Sequence, residues 1–96
     1  MSNELAVNAY FDGKVKSIAL ENAEGVSTVG VMQIGEYEFG TSQREYMTVV
    51  SGSLKVKLPG ESEWQAFGKN QTFIVEANQS FAVQVAEVTA YHCRYE

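Results

Sequence analysis

Apolar and polar side chains alternate with a period of two along most of this chain. Tyr37 and Phe39 alternate with Glu36 and Glu38, and Leu54, Val56 and Leu58 with Ser53, Lys55 and Lys57. Phe81, Val83 and Val85 alternate with Ala82, Gln84 and Ala86, and Tyr91, Cys93 and Tyr95 with Ala90, His92 and Arg94. Successive side chains of a β-strand leave on opposite faces, so each run reads as a strand with one buried and one solvated face. Val, Thr, Tyr and Phe dominate these runs, as a pleated, half-buried surface prefers. Turn signals separate them at Asp12-Gly13, Glu24-Gly25, Ile34-Gly35, Ser51-Gly52, Pro59-Gly60, Phe67-Gly68, Asn70 and Asn78-Gln79-Ser80. Only the first ten residues and Thr41–Tyr46 read as candidates for a brief helix. The pattern predicts an all-β chain of about eight or nine short strands, in a small barrel, jelly roll or sandwich.

Composition narrows this further. A chain of 96 residues is one domain, near the lower end of what buries its own core. With 45% hydrophobic and 20% charged residues, it has the balance of a folded globular protein and not of a disordered one. The net charge is −5 and the seven basic residues are scattered, so no basic surface invites a nucleic-acid backbone. A single small phosphate needs only a cation or a few N–H groups and is not excluded. The lone Cys93 cannot form an intramolecular disulfide or a cysteine zinc site. The start of the chain lacks the pattern of a signal peptide, and no run approaches the ~20 apolar residues of a membrane span, so the cytoplasm is the expected compartment.

Candidate chemistry is sparse. His92 is the sole histidine, and it shares a strand phase with Ala90 and Arg94. It reads as a surface histidine or, since imidazole titrates near neutrality, as a general base. Glu45 is in phase with Met47 and Val49. It is either a carboxylate facing the interior, which must be paired or functional, or a solvated residue at a loop end. Arg94 suits either a bidentate phosphate contact or a structural salt bridge. Tyr37, Phe39, Tyr91 and Tyr95 are core aromatics or a stacking surface for a flat ligand. Lys14 and Lys16 flank Val15 and read as solvent-exposed.

One stretch carries a family resemblance. Glu45, six residues and then Gly52 match the end of the first cupin motif. The second motif can be laid from Asn70 through Glu76 and Asn78 to Phe81 with its spacing kept and its named residues replaced; Phe81 stands where that motif has a metal-binding histidine. Tyr37-Glu38-Phe39-Gly40-Thr41 occupies the place of the histidine pair and contains none. Glu45 alone would hold a divalent ion poorly. The agreement then extends along the chain from Tyr10: Tyr10-Phe11-Asp12-Gly13-Lys14-Val15-Lys16-Ser17, Gly30-Val31-Met32, Gly35–Phe39, Glu45–Leu54, Leu58-Pro59, Gln84–Glu87 and Cys93-Arg94-Tyr95. This string resembles the pyrimidine/purine nucleoside phosphorylase family of the cupin superfamily. Glu76, Asn78 and Ala82 replace the Pro, His and His associated with relatives in that loop.

The resemblance implies a single cupin-type β-barrel (jelly roll), with residues 1–9 a loose N-terminal segment. It implies phosphorolysis of purine and pyrimidine nucleosides to free base and ribose 1-phosphate, with broad base tolerance, no metal or other cofactor, and a homodimer. Placed on these residues, the reaction makes Glu45 the carboxylate that stabilises the developing positive sugar. Arg94, then Lys16, would hold phosphate. Tyr37, Tyr95 or Gln84 would donate to the leaving base, with Phe39, Gln84 and Tyr95 against the substrate. Two other readings stand beside it: a non-catalytic, metal-free cupin that binds a small metabolite or a partner protein, and a metal-dependent cupin oxygenase or isomerase with an unusual ligand set.

Overall fold

A computed structural model describes residues 4–96. They form ten strands: β1 (Val7–Tyr10), β2 (Val15–Asn22), β3 (Gly25–Met32), β4 (Gly35–Gly40), β5 (Glu45–Ser51), β6 (Leu54–Lys57), β7 (Gln65–Phe67), β8 (Thr72–Val75), β9 (Ser80–Val85) and β10 (Thr89–Tyr95). No helix occurs among the described residues, so none is long and apolar enough to cross a membrane. The strands make two antiparallel sheets, ordered β1-β2-β3-β10-β5-β8 and β4-β9-β6-β7. The all-β expectation holds. The architecture is a pair of sheets with a shared core, and no closed barrel is described.

Two local expectations are corrected. The segment 1–9 is not loose throughout: Val7–Tyr10 pairs with β2 as an edge strand, in register Val7 with Ile18 and Tyr10 with Val15, while residues 1–3 lie outside the described residues. Thr41–Tyr46 is not helical, because β5 already begins at Glu45 and the preceding loop is held by Thr41. The Thr41 hydroxyl donates to the Glu76 carbonyl at 2.7 Å and accepts from the Gln79 N–H at 3.0 Å. The Thr41 N–H donates to the Gln79 carbonyl, and the Asn78 N–H to the Thr41 carbonyl. This threonine therefore fastens the β4–β5 loop to the β8–β9 loop, satisfying backbone groups that a helix would otherwise have paired.

Alternation fills the interior. Val15, Met32, Met47, Val49, Leu54, Val56, Phe73, Val75, Phe81, Val83, Val85, Tyr91 and Cys93 face one another as a single core. An aromatic file runs through it: Phe39 on Phe81 with centroids 5.6 Å apart, Phe81 on Phe73 at 5.9 Å, and Phe73 on Phe67 at 4.8 Å. Phe81, which the motif spacing lays on a cupin histidine, is a core ring in the middle of that file.

Two glycines make close approaches possible. Gly52 has φ 94° and sits against the buried Thr89, whose hydroxyl accepts from the Ser53 N–H at 3.2 Å and lies 2.8 Å from the Glu87 carbonyl. Gly30 lies opposite Tyr91 in the β3–β10 register, and a Cβ there would come within 2.5 Å of the tyrosine hydroxyl oxygen. Gly30→Ala is expected to push the Tyr91 ring out of its place and cost about 1–3 kcal/mol of stability, as overpacking typically does. Urea unfolding of the variant beside the wild type measures it.

Candidate active site

At the end of the interior where β5 begins and β10 finishes, the two sheets leave a cavity of about 460 Å³. That volume suits a small organic ligand. Its wall is apolar on the β4 and β9 side, with Phe39 and Phe81, and has Met32 and Met47 on the other sheet. Tyr10 and Phe11 contribute from the β1–β2 hairpin. The polar groups converge from the six-stranded sheet: Ser17 of β2, Glu45 of β5, and Cys93 and Tyr95 of β10.

The placement follows from period and register. Glu45 shares the inward phase of Met47 and Val49 and lies opposite Tyr95 on one side and Val75 on the other. It is the first residue of its strand, so its carboxylate is half-buried at the open end. Burial pushes its pKa above the usual carboxylate range, opposed by a hydrogen bond from Cys93, whose thiol donates to Oε1 at 3.5 Å. Burial, then the Glu45 charge, pushes the Cys93 thiol up to about 12, so it remains a neutral donor near pH 7. The Tyr95 hydroxyl is within hydrogen-bond distance of Thr28 Oγ1, at 3.1 Å, and burial raises its pKa well above the ordinary phenol value. Tyr91, buried two residues before Cys93, is pushed up to about 12 chiefly by burial. The site therefore sets the Glu45 carboxylate among neutral hydroxyl and thiol groups of its own sheet, facing an aromatic wall to which β4 adds a second carboxylate, Glu38.

Of the residues expected to act together, the fold brings Glu45, Phe39 and Tyr95 into this cavity. Tyr37 lies beside it: its ring packs 6.1 Å from that of Phe39, and its hydroxyl is committed to the Gln33 carbonyl at 2.6 Å. Arg94, Lys16 and Gln84 are placed elsewhere. Each is flanked by inward neighbours, Cys93 and Tyr95, Val15 and Ser17, or Val83 and Val85, so alternation turns it to the outside. Arg94 lies over the Tyr46 ring, 4.3 Å from its centroid, and donates to Glu96 at 3.3 Å. The structural salt-bridge reading is the one its geometry matches. His92 and Arg94 share a shallow outer groove with Tyr46, Thr48 and Thr72. Glu76 pairs with Arg44 at 2.9 Å, Asn78 takes a left-handed turn position at φ 61°, and Ala82 lies on the outward phase of β9. None of these departures lines the cavity. Among the described residues, no three His, Cys, Asp or Glu side chains cluster as a metal site.

Comparison with known proteins decides the family. The family model for pyrimidine/purine nucleoside phosphorylase matches residues 5–95. The chain belongs to the pyrimidine/purine nucleoside phosphorylase family. A curated member from Pseudomonas fluorescens (strain Pf0-1) is 61% identical over 89 residues, spanning 93% of this chain and 95% of the relative. A crystal structure of a protein of unknown function from Vibrio parahaemolyticus is 45% identical, with a TM-score of 0.93 over 97% of this chain and 99% of that one. The likeness extends, as fold alone, to the cupin-like hydroxypropylphosphonic acid epoxidase from S. wedmorenis, with a TM-score of 0.78 at 14% identity, covering all of this chain and 57% of that one.

Ser17, Tyr10, Phe11 and Cys93 also line the cavity, although the sequence pattern does not single them out as site residues. Ser17 and Cys93 are in the inward phase of their strands, and phase was the signal that could have found them. The half-buried carboxylate also has a sign-defined effect on stability. The native state holds the Glu45 proton to higher pH than the unfolded chain does, so stability falls as pH rises from the ordinary carboxylate value through the raised native one. Glu45→Gln removes that dependence. The variant is expected to gain on the wild type between pH about 4 and about 7, which urea midpoints at the two pH values would reveal; a constant difference would contradict the assignment.

Proposed function

We propose that this chain catalyses phosphorolysis of purine and pyrimidine nucleosides without a metal, releasing free base and ribose 1-phosphate. The observation that carries the reading is the half-buried Glu45 carboxylate across the cavity from the ring of Phe39, in a chain of this family. As the C1′–N bond breaks, its electron pair leaves with the base and positive charge grows on the sugar. A fixed, half-buried carboxylate favours that charge. A phosphate oxygen then forms the new bond to C1′, and a proton is delivered to the base nitrogen. That proton comes from the attacking hydrogen phosphate, and Tyr95, whose pKa burial raises, serves as a neutral hydrogen-bond donor to the departing base. Phe39 offers a face to the base. Apolar walls discriminate weakly between ligands that differ by a small group, which suits broad base tolerance.

Phosphate is the reactant for which the cavity is least furnished. Its described lining carries Glu38 and Glu45 and no Lys or Arg, so the donors on hand are hydroxyls such as those of Ser17 and Tyr10. That same feature favours a second reading, a metal-free binder of a flat, neutral metabolite. The homodimer belongs to the proposal as well. It would cover the outer face of the six-stranded sheet, where Ile18, Val29, Val31 and Ile74 are 39–49% exposed.

The test is base release from uridine and adenosine by chelator-treated protein, with and without phosphate. Phosphate-dependent release is expected, with Glu45→Gln lowering kcat by about 100-fold or more, the scale of one lost transition-state electrostatic contact. Binding without turnover would favour the second reading. Arg94→Ala and Lys16→Ala are expected to leave the phosphate KM within about twofold. A rise of an order of magnitude in either variant would instead place the phosphate site on the outer face.

A further inference from the structure

Phe11 lines the mouth of the cavity from the loop between β1 and β2, where three consecutive residues adopt left-handed backbone: Phe11 at φ 53°, Asp12 at 57° and Gly13 at 84°. The Gly13 N–H donates to the Tyr10 carbonyl at 3.1 Å and the Lys14 N–H to the Phe11 carbonyl at 3.2 Å, so the chain reverses within these residues. Glycine enters this region freely, and Asp or Asn tolerates it. A bulky aromatic does not, because its Cβ crowds the backbone. Turn chemistry alone would favour Asn at position 11.

A ring retained against local preference has a use elsewhere. The Phe11 ring packs on Tyr37 with centroids 4.9 Å apart and meets Phe39 edge-on at 5.5 Å, yet the residue remains 42% exposed. Both supports are fixed in turn, Tyr37 by its hydrogen bond to the Gln33 carbonyl and Phe39 by the Phe81 ring. β1 lies at the sheet edge with β2 as its only neighbour in the sheet order, so the hairpin tip can adjust to a ligand without disturbing the interior strands.

We propose that Phe11 is the base-stacking residue of the site: the flat base lies against its ring while the sugar reaches Glu45. The inference rests on the phosphorylase reading above and deepens it. Every base has a π face, so such a contact grips purines and pyrimidines alike without reading their edges. Purines, with the larger face, gain more from it.

Phe11→Asn is the sharpest test, because asparagine suits the turn. Its unfolding midpoint is expected to equal or exceed that of the wild type. The nucleoside KM is expected to rise about 10-fold, more for adenosine than for uridine, with kcat and the phosphate KM within about twofold. Phe11→Trp should restore or tighten binding. An unchanged nucleoside KM in a folded Asn variant, or an equal rise in the phosphate KM, would overturn the proposal. Equilibrium titration with adenine separates it from the reading it rests on. If the wild type binds adenine but turns nothing over, the phosphorylase reading fails, and weaker adenine binding by the Asn variant still supports stacking. If the wild type and the variant bind adenine equally, or neither binds it, the stacking role is wrong.

Discussion

Two sheets that share one core can keep a charge between them only where the core opens to water, and Glu45 stands at such an opening. An unpaired carboxylate in the middle of the packed aromatic file would cost far more than a small domain has to spare. At the first residue of β5 the same group remains half in water, accepts a hydrogen bond from the Cys93 thiol, and has its pKa raised by what burial it has. The rest of the site is organised around that compromise. The neighbouring polar groups are neutral donors, and the opposite wall is aromatic. An aromatic wall and a carboxylate thereby face each other across one cavity, the arrangement on which the proposed reaction rests.

The sheet that carries Glu45 also separates two kinds of chemistry. Its inner face presents Ser17, Glu45, Cys93 and Tyr95, and its outer face presents Lys16, His92 and Arg94. Adjacent residues of one strand cannot serve the same side, so the cations of β2 and β10 are as far from the cavity as the sheet is thick. Arg94 is occupied there by Glu96 and the Tyr46 ring, exposed contacts that contribute little to stability. Phosphate bound at this cavity would meet hydroxyl and backbone N–H groups and none of those cations.

How much of this was legible in the sequence depended on how strictly alternation was followed. The inward phase of Glu45 with Met47 and Val49, and of Phe39 and Tyr95 with their strands, could be read directly, and the structure places all three in one cavity. The same rule sets Arg94 beside the inward Tyr95, Lys16 beside Val15, and Gln84 between Val83 and Val85. Residue chemistry suggested roles for those three that strand geometry does not allow at this cavity. The motif spacing lays Phe81 on a cupin histidine position, and the structure gives that residue the place of a ring stacked in the core. The hairpin was not legible. Val7–Tyr10 has little alternation because β1 is an exposed edge strand, and Asp12-Gly13 marks a turn without showing that Phe11 enters it left-handed. The knot around Thr41 escaped for a related reason: its partners, Glu76 and Gln79, are distant in sequence and contribute backbone atoms, which leave no mark in a residue pattern.

On this reading, nucleoside chemistry takes place inside the sheets, at Glu45. A crystal structure with pseudouridine, whose carbon–carbon glycosidic bond cannot undergo phosphorolysis, tests it most directly. The anomeric carbon is expected within about 3–4 Å of the Glu45 carboxylate, the distance of a productive contact, with the base toward the aromatic mouth. A nucleoside seated instead in the outer groove beside His92 and Arg94 would contradict it.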